Sequence, residues 1–326
     1  MTAEVRRNQS READAAAETV EGLATLLEAG VAPESAWHHL GEFDRHPVVA
    51  AIAEAVGGGL RPVEAIGRAV ANRRVVANRR RPPPITGASR RDDVGSWRAL
   101  GAAWAVADAA GAALAPSLRQ LAVSARDRAE TDLEIEVALA GPLATARLVA
   151  WLPAVGLGLG VMMGADVLGT LVGSPIGWGL LGAGIALVAV GRLWTRALTR
   201  QAASSGGTPG LQLDLTAVAL TGGVSVERAG SLVHDACSRF GIDGAEPTEL
   251  HRTLALAERA GAPVVELLRS AARKARRDAR IEGKQRAAAL AVRLMMPLGV
   301  CVLPSFMLLG VAPIVLTIVS STVSAI

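Results

Sequence analysis

Three apolar stretches limit what this chain can fold into: about 148–165, about 176–193, and 294 to about 319. A helix needs roughly 20 apolar residues to cross the hydrocarbon layer of a bilayer, with a range of about 17–25. The first two stretches sit at the short end of that range and are extended by their flanks; the third is long enough outright. Asp166 is the only ionisable residue between Arg147 and Arg192, so the first two form a nearly uncharged hairpin. Such a hairpin is hard to place inside a soluble core. Inside a bilayer Asp166 would be a candidate proton relay. Gly164, Gly169, Gly173, Ser174 and Pro175 surround it, however, and favour an exposed tight turn.

Cations crowd the opposite ends of the stretches. Arg147 precedes the first, Arg192, Arg196 and Arg200 follow the second, and Lys284, Arg286 and Arg293 precede the third. Positive residues stay on the cytoplasmic side. The expected topology has a cytoplasmic N-terminus, a tight external hairpin, a cytoplasmic middle segment and an external C-terminus. Trp151, Trp178 and Trp194 fall near span ends, where interfacial anchors belong. Met1 to Arg11 is polar, so no cleavable signal peptide is expected.

The rest of the chain reads as helix. Of its 326 residues only 3% are aromatic and none is Tyr, while alanine, a strong helix former, is abundant. Mean hydropathy is +0.34. The expected fold class is all-α: a polytopic membrane protein with three transmembrane helices and two repeated cytoplasmic helical bundles. The expected layout is a first domain at 1–147, a hairpin at 148–195, a second domain at 196–293, a third span at 294–319 and a tail at 320–326. Arg79-Arg80-Arg81-Pro82-Pro83-Pro84 opens a stretch to Gly95 that is expected to be a mobile basic loop. Residues 201–210 and 241–247 read as linkers. Cys237 and Cys301 are expected to stay reduced.

The two charged segments share local motifs. Leu27-Glu28-Ala29-Gly30-Val31-Ala32-Pro33-Glu34-Ser35-Ala36 is similar to Leu220-Thr221-Gly222-Gly223-Val224-Ser225-Val226-Glu227-Arg228-Ala229. Ala107 to Leu114 is similar to Ala257 to Val264, and Leu118-Arg119 then matches Leu268-Arg269. A variant runs from Gly58 to Ala65. Each motif describes a corner between helices. Glycine supplies the left-handed residue that ends one helix. Pro33, Pro62 or Ser225 starts the next. Glu34, Glu64 or Glu227 then sits in its first turn, where the helix dipole favours an acid.

Few residues offer candidate chemistry. With only two lysines, Lys274 and Lys284, the chain lacks the Gly-x-x-x-x-Gly-Lys-Ser/Thr phosphate loop. Gly177 to Gly182 fits a dinucleotide pattern on paper but follows no strand. Its better reading is close helix packing by Gly177 and Gly182 against a face made by Gly156, Gly160 and Gly164. Pro297, Pro304 and Pro313 interrupt the third span and belong to the same packing group. His38, His39 and His46 cluster, and His234 and Cys237 are three apart, without the three or four ligands a zinc site needs. No catalytic group, cofactor or metal is expected. The run Arg269, Arg273, Lys274, Arg276, Arg277, Arg280 leads to the third span. There it suits anionic lipid or an acidic partner better than nucleic acid.

One family shares these features. Arg276-Arg277-Asp278-Ala279-Arg280, then Ala287 to Leu298, then Leu303-Pro304-Ser305-Phe306 and Gly310-Val311-Ala312-Pro313, resemble the C-terminal end of type II secretion system F proteins. The likeness is nearest the tight-adherence (Tad/Flp) pilus branch and is most specific over about 215–318. The resemblance implies a non-enzymatic inner-membrane platform that couples a cytoplasmic secretion ATPase to pilin subunits. It also implies homo-oligomers or pairing with a paralogous platform subunit. Glu34, Glu227 and Glu258, with Arg269, Arg273, Arg276 and Arg277, are the expected partner-binding residues. A transporter or channel subunit, or a membrane-anchored scaffold, is the alternative.

Overall fold

The computed structural model describes residues 16–44, 46–79, 89–162, 175–203, 208–242, 247–312 and 315. Among these residues every regular element is helical. In chain order they are α1 over 16–28, α2 Pro33–Phe43, α3 Pro47–Gly57, α4 Pro62–Arg79, α5 Ser89–Ala110, α6 Leu114–Met162, α7 Pro175–Ala203, α8 Leu211–Thr221, α9 Val226–Phe240, α10 Pro247–Ala260 and α11 Val264–Arg293. The chain then continues through Met295–Pro297, a π-helical turn Leu298–Val302, Leu303–Phe306 and a second π-helical turn Met307–Val311. Residues 89–95 depart from the expected loop, since α5 already begins at Ser89. Ser89, Asp92 and Asp93 read as loop residues, yet small polar and acidic side chains also suit the first turns of a helix. The hairpin turn with Asp166 lies outside the described residues.

The chain divides into two compact units. Unit 1 comprises Met1–Leu133 with Ser205–Gly283, and unit 2 comprises Glu134–Ser204 with Lys284–Ile326.

The glycine corners set the path of unit 1. Gly30, Gly59, Gly111, Gly223 and Gly261 all take φ between +60° and +87°, the region open to glycine at little cost. Helix α1 closes with Val31 N–H donating to Leu26 C=O and Gly30 N–H to Leu27 C=O. The same pair of bonds recurs at Gly59 and Gly111, and Ala262 N–H donates to Ala257 C=O at the Gly261 corner. These bonds satisfy carbonyls that a helix end otherwise leaves open. Ser225 then caps α9 by accepting from Arg228 N–H at 3.3 Å.

The two charged segments, expected as separate bundles, contribute to one core. It joins Leu23, Trp37, Ile52, Ile66, Trp97, Leu100 and Leu118 to Leu215, Ala219, Val233 and Phe240. Helix α9 carries Ala229, Val233, Ala236, Cys237 and Phe240 on one stripe at helical spacing and lays it on α5. The fit is close. A Cβ placed on Gly101 would overlap the Phe240 ring, and one on Gly222 would overlap the Ala110 carbonyl. Helix α8 is buried from Leu211 to Ala219 except at Gln212, so it forms an inner element of unit 1.

Unit 2 is built differently. Many of its large apolar side chains face outward: Leu148, Trp151, Val155, Trp178, Ile185, Val190, Leu193, Met295, Val300 and Leu303 are all exposed, whereas Leu290 and Leu294 are buried. Gly177–Thr195 of α7 is long and apolar enough to cross a membrane. Gly299–Val311 forms a shorter apolar helix. The π turns adjoin Pro297 and Pro304, which cannot donate to the helical ladder. Ser305, fully buried, donates to Val302 C=O at 2.7 Å.

Candidate functional site

The basic run on α11 divides into two faces. Arg273, Lys274 and Arg277 are exposed. Arg276 turns inward instead and pairs with Asp214 of α8; their side chains keep only 10% and 11% of their accessible surface. Arg276 therefore does not present its charge to a partner, as the sequence run suggested. Its charge compensates an acid buried on the inner helix. Burial pushes the Asp214 carboxyl above its usual value, while the charge and hydrogen bond of Arg276, and the charges of Arg269 and Arg273, pull it back. Asp214 Oδ1 has no hydrogen-bond partner among the described residues. Beside it lies an open cavity of about 250 Å³ lined by Ala113, Pro116, Ser117, Gln120, Val218, Thr221 and Arg269. Arg269 meets Glu266 at 3.3 Å and remains half-buried.

A second ion pair mirrors this one. Glu21 stands nine residues before Gly30, as Asp214 stands nine before Gly223. Arg126 stands fifteen residues after Gly111, as Arg276 stands fifteen after Gly261. Glu21 and Arg126 are paired, with 44% and 55% of their side-chain surface exposed. Leu118 and Leu268, at matching positions, are both fully buried. Equal spacing and equal charge order thus accompany the repeated corners. The sequence motifs cover the corners but not these acids, because Glu21 and Asp214 fall outside the matching strings.

Glu34, Glu227 and Glu258 are all exposed, the first two in the first turns of α2 and α9 and the third near the end of α10. His38 and His39 stand 3.6 and 3.7 Å from Glu42 on the exposed face of α2. His46 accepts from Val48 N–H at the start of α3 and stacks on Trp97, with ring centroids 5.4 Å apart. Cys237 and Cys301 are buried free thiols.

The glycines of unit 2 separate into packed and open positions. A Cβ on Gly156 would come within 2.8 Å of the Phe306 ring and 3.3 Å of Gly310 Cα. One on Gly184, which the sequence reading did not single out, would overlap Leu309. Gly177 is buried, whereas Gly182 is exposed with no atom near its Cβ position. Gly160 lies in α6, Pro297 closes Met295–Pro297, and Pro304 is half-buried in Leu303–Phe306. Gly164 and Pro313 lie outside the described residues.

Residues 19–162 match the family model described as type II secretion system (T2SS), protein F. The match covers α1 to the end of α6, in the first half of the chain, whereas the resemblance in the sequence rested chiefly on 215–318. The first segment places α3 and α4 between its two repeated corners; the second joins α9 to α10 without a counterpart of that pair. No curated protein and no solved structure matches the chain.

Proposed function

We propose that this chain, with its match to the type II secretion system F family over 19–162, is an inner-membrane platform subunit of a Tad/Flp-type pilus or type II secretion assembly machine. The observation that carries the reading is the match itself, which ends in the apolar stretch of α6 and belongs to a chain whose unit 2 turns many apolar side chains outward. Proteins of this family work at the inner membrane with secretion ATPases and other platform subunits. The spans at 148–165, 176–193 and 294–319 hold the protein in the bilayer, with the N-terminus cytoplasmic and the C-terminus external. The charged segments meet the cytoplasmic ATPase and pass its motion to pilin subunits. The protein itself performs no catalysis.

The exposed acids Glu34, Glu227 and Glu258 and the outward cations Arg273, Lys274 and Arg277 form the partner surface. The same cations suit anionic lipid head groups. Arg276 is excluded from that surface because it is committed to Asp214. The test is co-purification of the full chain with a cognate assembly ATPase. Charge reversal of Arg273, Lys274 and Arg277 together should abolish co-purification while the protein remains in the membrane. Unchanged recovery of the ATPase would remove these cations from the interface.

A further inference from the structure

Two contacts in unit 2 join positions 150 residues apart, the same spacing that separates the corner glycines Gly111 and Gly261. Glu134 Oε2 meets Lys284 Nζ at 2.9 Å. Gly156 lies between Phe306 and, one helical turn on, Gly310. Both contacts therefore join the two copies at the repeat spacing to within one helical turn. They are 22 residues apart along each of the two helical runs, about 33 Å of helix at 1.5 Å per residue. Near-equal spacing at both ends means that α6 and the continuation of α11 run in the same direction, in register to within one turn. This is close to the pattern of a two-fold interface, in which each position meets the neighbourhood of its own counterpart.

The residues at these positions are complementary rather than identical. A negative charge meets a positive one, and a residue without a side chain meets a phenyl ring. Pairing the first copy with another first copy would set Glu134 against Glu134 and leave a void between two glycines. Pairing second with second would set Lys284 against Lys284 and force two Phe306 rings together. We infer that the chain is a fused, mismatched pair: its two copies associate in parallel within one chain, and Glu134–Lys284 and Gly156–Phe306 make each copy select the other over its own kind. The ion pair is half-exposed and adds little to stability. Its effect is to make the alternatives worse. The inference does not depend on which machine the chain serves.

The test uses the full chain in membranes, in a Cys237→Ala, Cys301→Ala background. Glu134→Cys with Lys284→Cys, treated with a short bis-maleimide, should give an intramolecular product that migrates as a compact monomer. Glu134→Cys alone and Lys284→Cys alone should give no crosslinked dimer. Differently tagged chains carrying one cysteine each should give none either. A dimer from either single variant would overturn the selection of unlike copies, and a dimer from the mixed chains would overturn pairing within one chain. Absence of the intramolecular product in the double variant would overturn the parallel register.

Discussion

Asp214 sits on the most enclosed helix of unit 1, facing Arg276 with Arg269 and Arg273 nearby. A carboxyl raised by burial keeps its proton at a pH where the unfolded chain has released it. Its contribution to stability is full below the ordinary carboxylate range and is lost as pH rises through the raised folded value. Thermal unfolding of the wild type and of Asp214→Asn, followed against pH, should show the wild type losing ground to the variant across that window. A difference that does not change with pH would mean that Asp214 titrates as an ordinary carboxyl. In the same series Arg276→Ala should cost about 3–5 kcal/mol at neutral pH, since it leaves a buried acid without its counter-charge. Arg273→Ala, on the exposed face, should stay within about 0.5 kcal/mol. The sequence displays all the cations of α11 alike. Which of them turn inward depends on an acid some sixty residues earlier, and no local pattern announces that partner.

At the level of elements, the corners were legible and their assembly was not. Gly30, Gly59, Gly111, Gly223 and Gly261 announce themselves because a left-handed residue at a helix end is a local demand. The helix starts at Pro33, Pro62 and Ser225 follow from equally local rules. The docking of α9 on α5 is a different matter. It depends on Phe240 reaching the gap left by Gly101, and nothing near either residue names the other. Gly101→Leu should force the ring out and cost about 1–3 kcal/mol, the usual range for overpacking. Phe240→Ala should cost about 3–5 kcal/mol by leaving a cavity. Combined, the two changes should cost less than their sum, because the introduced isobutyl group would occupy part of the space the ring vacates. Strict additivity in chemical unfolding would show that Gly101 and Phe240 do not share a contact.

For the whole molecule, the apolar stretches were the plainest signal in the sequence, and α7 carries that signal in a single helix. Labelling of single cysteines with a membrane-impermeant maleimide in intact cells gives a direct reading of the topology. Asp166→Cys should label from outside, and Arg273→Cys should label only after the membrane is opened. Labelling of Arg273→Cys in intact cells would reverse the proposed orientation. The shared core was not legible, because a linker and two apolar stretches separate the segments that build it, and sequence distance conceals spatial neighbours. That core has a consequence for how the protein is made. The ribosome releases α5 about 130 residues before Phe240, the residue that covers Gly101. At roughly 5–20 residues per second, this leaves a newly made apolar face waiting on the order of ten seconds. Both stretches of the hairpin emerge during that interval. On the proposed topology, delivery of the hairpin to the membrane would precede completion of the core, and any stall in translation between residues 110 and 240 would expose the half-built bundle to chaperones and proteases.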